Sequence, residues 1–254
     1  MIRWPAEAIW EAVAPLLPGF TVEILPEIDS SNSELMRRAR SGQAEPTLLV
    51  AERQTAGRGR LGRAWQSAAG DSLTFSLALP LAPADWSGLS LAVGASLAEN
   101  LHPAVRLKWP NDLWLDDRKL GGILIETAGT GEAGAARQAV IGVGLNIAPR
   151  EAAGLSTAPA AVRELLPEAD APAVLLRVVP ALVRDILAFQ QAGFAAFRAR
   201  FEARDALRDR AVTLSDGTAG TAHGVGESGA LLVHTAAGLQ AVASSEVSVR
   251  PARP

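Results

Sequence analysis

The chain has 254 residues, 48% of them apolar and 20% charged, with a formal net charge of −3. That length carries one large domain or one domain plus a small one around a sizeable core, and the mild acidity excludes a surface built wholly for nucleic acid. With no cysteine present, disulfides, thiolate metal sites and cysteine nucleophiles are excluded.

Ala6–Leu17 reads as a first helix, ended by Pro18-Gly19. "TVEIL" (21–25) reads as a strand. "DSSN" (29–32) stands before "SELMRRAR", where Leu35, Met36 and Ala39 recur at helical spacing, so Ser30, Ser31 or Asn32 is placed to cap a helix. "TLLVAE" (47–52) is a short buried strand that runs into the loop "GRGRLGRAW" (57–65). "SLTFSLAL" (72–79) alternates, with Leu73, Phe75, Leu77 and Leu79 on one face. A helix follows over Ser87–Leu101, then a strand "VRLKW" (105–109) stopped by Pro110. "LWL" and "LGGILIE" flank the polar turn "DDRK" and read as a hairpin. "AVIGVGLNI" (139–147) is another buried strand. Pro172 to about Leu207 reads as two helices broken near Gly193. From Arg210 onward, short strands are separated by turns at Asp216-Gly217, Glu227-Ser228-Gly229 and Ala237-Gly238, the pattern of a small β-barrel. The expected fold class is therefore α/β (α+β): a mixed β-sheet packed with helices over residues 1–207, then a small C-terminal barrel over 208–254.

No apolar run reaches the length needed to span a bilayer. The N-terminal "MIRWPAEAIWEAV" lacks the unbroken apolar core of a signal peptide, so a cytoplasmic protein is expected. His102, His223 and His234 form no pair at metal-ligand spacing.

The basic residues are unevenly chosen. Of 24, only Lys108 and Lys119 are lysine, and they lie within one stretch, "KWPNDLWLDDRKLGGILIE". Lysine is a compact charge on a flexible stem, whereas arginine is a planar fork. Surfaces rarely distinguish the two, but a tight site for a moving anionic oxygen does. Gly57, Gly59 and Gly62 match G-x-G-x-x-G, yet no helix can start inside the run, which argues against a dinucleotide fold. Neither lysine stands in a Walker frame. An RNA-binding arginine-glycine loop is one remaining reading. The other is an anion loop, whose glycines let backbone N–H groups approach a ligand and whose Arg58 and Arg60 bind phosphate in bidentate fashion. Its three arginines would repel one another until an anion ordered them. Gly121 and Gly122 weaken a strand unless a ligand sits against its backbone, and Lys119 would point into that space. Asn111-Asp112 could bind a metal or a sugar hydroxyl.

The segments "DSSN", "Q-x-A-GRGRLGR-x-W", "KWPNDL", "KLGGILIE" and "GVGLNI", in that order, resemble biotin protein ligase. They cover roughly residues 29–147, and the small C-terminal barrel, SH3-like in that family, also fits. The resemblance implies a two-step ligase. ATP and biotin give biotinoyl-5′-AMP and pyrophosphate, and a lysine of a biotin carboxyl carrier protein then attacks the activated carbonyl. It implies that Ser30, Ser31, Asn32 and Gln54 bind the biotin rings. Gly57, Arg58, Gly59 and Arg60 close over biotin and the phosphates. Lys119, beside Gly121 and Gly122, meets the biotin carboxylate and the adenylate. Lys108, Asn111 and Asn146, with Arg63 and Trp65 of the loop, fall on the nucleotide side, and Asp112 becomes a Mg2+ ligand. The catalytic set is Lys119, Arg58 and Lys108. A homodimer is expected by the same resemblance.

Two departures stand out. Only 28 residues precede Asp29, too few for the helix-turn-helix domain some members carry, so DNA binding is not expected. The resemblance implies that the segment after Asn146, "IAPREAAGLSTAPA", is the loop covering adenine, and in it Leu155 takes the place of a tryptophan that some relatives use there. Two other readings stay open: a lipoate or octanoate ligase, which the arginine-rich loop and "KWPND" disfavour, and a non-enzymatic adenylate- or nucleic-acid-binding module.

Overall fold

The structure is a computed structural model and describes residues 2–129, 135–151, 157–243 and 249–251. Leu155 therefore lies outside the described residues. The first helix, α1 (Ala6–Val13), is one turn shorter than its sequence suggests, because residues 14–17 form turns. Strand β1 (Thr21–Ile28) leads into α2 (Ser31–Arg40). Ser30 is the N-cap: its side chain accepts from Ser33 N at 3.4 Å. Glu34 in the first turn and Arg37, Arg38 and Arg40 in the last suit the helix dipole.

Strands β2 (Thr47–Gln54), β3 (Ser72–Leu81), β4 (Arg106–Lys108), β5 (Asp112–Leu115), β6 (Arg118–Ala128) and β7 (Arg137–Asn146) complete a sheet of seven, ordered β1-β2-β3-β7-β6-β5-β4. Only β1 and β2 pair in parallel, since α2 returns the chain between them; every other pairing is antiparallel. Asp116 and Asp117 form the two-residue turn between β5 and β6, both at positive φ (47° and 58°), a conformation aspartate tolerates.

The sheet has two unlike faces. Leu48, Val50, Leu73, Phe75, Leu77 and Ile141 belong to the main core, shared with α1, α3 (Leu89–Leu101) and α4 (Ala171–Ala192). On the other face a small cluster of Leu49, Ala78 and Val140 meets Leu35 and Met36 of α2. Asp170 caps α4 through Ala173 N at 2.8 Å, and Gly193, at φ 63°, ends it. A short α5 (Arg198–Glu202) follows, so the expected break near Gly193 is present.

The C-terminal strands β8 (Ala211–Leu214), β9 (Ala219–Val225), β10 (Leu231–Thr235), β11 (Gly238–Val242) and β12 (Val249–Pro251) form an antiparallel sheet in the order β11-β10-β9-β8-β12. This unit is tied to the first. The buried Trp109 indole donates to Gly229 O at 3.0 Å, and Arg210 donates to both Asp117 oxygens at 2.5 and 3.0 Å.

Candidate active site

The sheet face under α2 holds a cleft of about 980 Å3. Its floor follows from strand register. Ala51 pairs with Thr74, Thr74 with Gly144, Gly144 with Gly122, and Gly122 with Asp112. This row across five strands carries no large apolar side chain, so the sheet cannot fill the space above it. In the neighbouring row, Ser76 pairs with Gly142. A Cβ on Gly142 would sit 2.2 Å from Asn32 Oδ1, and one on Gly144 would sit 2.4 Å from the Trp65 ring. Both glycines thus make room for side chains from other segments. Gly144→Ala is expected to push Trp65 out of place and cost about 1–3 kcal/mol, checked by denaturant unfolding.

One end of the cleft is neutral and polar. Asn32 and Ser31, in the first turn of α2, are buried. Gln54 Oε1 accepts from Ser31 N at 2.7 Å and lies 3.0 Å from Ser31 Oγ. Ser76 Oγ donates to Asn32 Oδ1 at 2.6 Å and lies 2.8 Å from Ser31 Oγ. Asn32 Nδ2 donates to Leu124 O at 3.2 Å and to Glu126 Oε2 at 3.1 Å. The result is a chain of fixed donors and acceptors without a net charge of its own.

The other end is ionic. Lys119 Nζ lies 2.7 Å from Asp112 Oδ1, and Lys108 Nζ lies 3.8 Å from Asp112 Oδ2. Both lysines of the chain therefore meet at one carboxylate. The end of the Lys119 side chain lies against Gly122: a Cβ there would meet Nζ at 3.4 Å, an ordinary contact distance. Lys108 also stands 5.3 Å from the Trp114 ring centroid, a cation–π distance.

The loop 57–65 is a short hairpin rather than irregular chain. Gly59 N donates to Arg63 O at 2.7 Å, and Trp65 N donates to Gly57 O at 2.8 Å. Its arginines diverge. Arg58 reaches outward to a salt bridge with Glu126. Arg60 turns into the cleft, 3.4 Å from Asn111 Oδ1. Burial draws the Arg60 pKa below its ordinary value, opposed by the nearby Asp112 charge.

Most of the expected residues line this one cleft: Ser30, Ser31, Asn32, Gln54, Arg58, Gly59, Arg60, Arg63, Trp65, Lys108, Asn111, Asp112, Lys119 and Gly122. Three do not. Gly57 and Gly121 lie behind it; a Cβ on either would strike backbone oxygen, at 2.4 Å and 2.5 Å. Asn146 is buried, and its Nδ2 donates to Lys119 O at 3.1 Å and Ala160 O at 2.9 Å. It fixes the Lys119 backbone rather than facing the cleft. Sequence reasoning missed Thr74, Ser76, Gly142, Gly144 and Glu126, and did not single out Arg150 within the segment "IAPREAAGLSTAPA" expected to cover adenine. The signal for Thr74 and Ser76 was present, as polar residues on the second face of an alternating strand.

Among the described residues no group of three or more His, Asp or Glu could hold a metal ion. Asp112 could supply one ligand.

Residues 25–146 match the profile described as the biotin/lipoate A/B protein ligase family, and residues 210–250 match the biotin protein ligase C-terminal domain. The bifunctional ligase/repressor BirA of Escherichia coli is 38% identical over 250 residues, covering 93% of this chain and 76% of that protein. The biotin–[acetyl-CoA-carboxylase] ligase of Paracoccus denitrificans is 34% identical, covering 88% of this chain and 98% of its own. The chain belongs to the biotin protein ligase family. Among solved biotin protein ligases, that of Aquifex aeolicus in complex with biotin and ATP superposes with a TM-score of 0.76 at 30% identity. The match spans 91% of this chain and 99% of that one. The segments that carry the family resemblance are those gathered around the cleft.

Proposed function

We propose that this chain activates biotin with ATP to biotinoyl-5′-AMP and transfers biotin to a lysine of a biotin carboxyl carrier protein domain. The observation that carries the reading is the pairing of a neutral, fixed hydrogen-bonding end with a two-lysine ionic end in one cleft, within a chain of this family. Biotin's ureido ring offers one strong acceptor and two N–H donors. Ser30, Ser31, Asn32 and Gln54, with Ser76 behind them, match it. Its carboxylate then extends toward Lys119 over the glycine floor.

In the first step a biotin carboxylate oxygen attacks the α-phosphorus of ATP, and the bond to pyrophosphate breaks. Little covalent chemistry falls to the protein; its work is positioning and charge stabilisation. Lys119, Lys108 and Arg60 hold the negative charge in place, and Asn111 fixes Arg60. Asn146 acts at second hand, through the Lys119 carbonyl. Asp112 would be the one protein ligand for a Mg2+ ion, which would supply neutralisation of phosphate charge. In the second step the carrier's lysine amine attacks the carbonyl and AMP leaves.

The structural division at residue 207/208, a cytoplasmic location, a homodimer and the absence of nucleic-acid binding complete this reading. No helix among the described residues is long and apolar enough to cross a membrane. The family membership sets aside the module reading, and the ring-matching polar end favours biotin over a lipoyl chain. The decisive test incubates the protein with ATP, biotin and a biotin carrier domain. We expect one lysine of the carrier to gain biotin, dependent on ATP. No labelling by a folded protein, or labelling with lipoate instead, would overturn the assignment. Sedimentation with and without biotin and ATP reads the dimer.

A further inference from the structure

Most cations around the cleft already have an anionic partner. Lys119 and Lys108 share Asp112, Arg58 pairs with Glu126, and Arg210 pairs with Asp117. Arg150 differs. It stands four residues beyond the end of β7 and lines the cleft wall. Its guanidinium carbon is 5.5 Å from the centroid of the Trp65 ring. Its Nη1 donates to Gln66 O at 3.2 Å. Its Nε is sealed from solvent and makes no hydrogen bond, and no carboxylate pairs with it among the described residues. The position is built, not incidental. Gly144 leaves the space that Trp65 fills, and the Trp65 ring supports Arg150.

We propose that Arg150 is an anion-recognition residue of this cleft and takes a phosphate group of the nucleotide. Arginine stays charged in any ordinary protein environment, and burial already draws this guanidinium below its usual pKa. A half-buried cation facing a ring and one carbonyl lacks a counter-charge. A phosphate supplies it, and the remaining N–H groups of the fork suit phosphate oxygens. Biotin has a single carboxylate, which the reading above sends to Lys119; ATP brings several charges to the same cleft. The proposal rests on that reading of ATP as the co-substrate. It adds to it a residue outside the motifs of the glycine-arginine loop and the two lysines.

The test uses the full chain with Arg150→Met, which keeps an unbranched apolar side chain against Trp65 without charge, and Arg150→Lys. Calorimetry measures ATP and biotin binding separately, and pyrophosphate release gives KM for ATP. A charged hydrogen bond is worth enough to predict about a tenfold or greater loss of ATP affinity in Arg150→Met. Biotin affinity should hold within about twofold, on the same argument that only the charged contact is lost. Arg150→Lys should recover part of the loss. Unchanged ATP affinity in Arg150→Met would overturn the proposal. So would equal losses of biotin and ATP, because that pattern marks Arg150 as a prop for Trp65. The ligase reading fails differently: wild-type protein would bind ATP and biotin yet release no pyrophosphate, while the ATP titration would still read Arg150.

Discussion

Lys119→Arg is expected to slow pyrophosphate release by about 10²-fold or more while the protein keeps its fold. The charge is conserved, so the effect must come from shape. The backbone of Lys119 is held on both sides: its N–H donates to Ala158 O at 2.8 Å, and its carbonyl accepts from Ala160 N at 2.9 Å. Asn146 adds a second bond to that carbonyl. From this anchored start the side chain crosses the surface of Gly122 to reach Asp112 at 2.7 Å. A compact ammonium on a flexible stem can shift from the attacking carboxylate to a phosphate oxygen as charge moves between them. A planar guanidinium is wider, fills the space above Gly122 and holds its donors in a fixed fork. Single-turnover pyrophosphate release, with thermal unfolding as the control, checks this. A wild-type rate from Lys119→Arg would remove Lys119 from the chemistry.

The sequence carried the local devices well, because each depends on a few adjacent residues. Ser30 ahead of "SELMRRAR" marks a helix start, Asp116-Asp117 marks a hairpin, and Gly193 marks a helix end. The shape of the cleft was less legible, because it depends on register between strands distant in sequence. Leu73, Phe75 and Leu77 advertise the core face, yet the opposite face, with Thr74 and Ser76, forms the floor. Gly142 and Gly144 acquire their meaning only when Asn32 and Trp65 are laid over them. Side-chain direction was also hidden. Arg58 and Arg60 are two residues apart and equivalent on paper, but one pairs with Glu126 at the rim while the other turns inward. Asn146 sits in a motif and still works from behind, through a backbone carbonyl.

That difference between the two arginines sets the second large effect. Arg60→Gly is expected to let biotinoyl-AMP escape, and the escaped intermediate should biotinylate a lysine-rich bystander protein while labelling the enzyme very little. Arg60 is the loop arginine turned toward Asn111 and influenced by Asp112. On the proposed reading, its loss removes a cation from the wall that would hold the adenylate. Arg58→Gly should leak less, since the Arg58 charge is already committed to Glu126. The bystander is labelled because activated biotin acylates unprotonated lysine amines. The enzyme offers only Lys108 and Lys119 besides its N-terminus; its other 22 basic residues are arginine. Both lysines face Asp112, and an ammonium held against a carboxylate is a poor nucleophile. The measurement incubates each variant with ATP and biotin, with and without the bystander, and maps biotin by mass spectrometry. No bystander labelling from Arg60→Gly would deny Arg60 its retaining role. Heavy labelling of Lys108 or Lys119 in folded enzyme would show those amines to be unprotonated and reactive, against the ion pairs that define this end of the cleft.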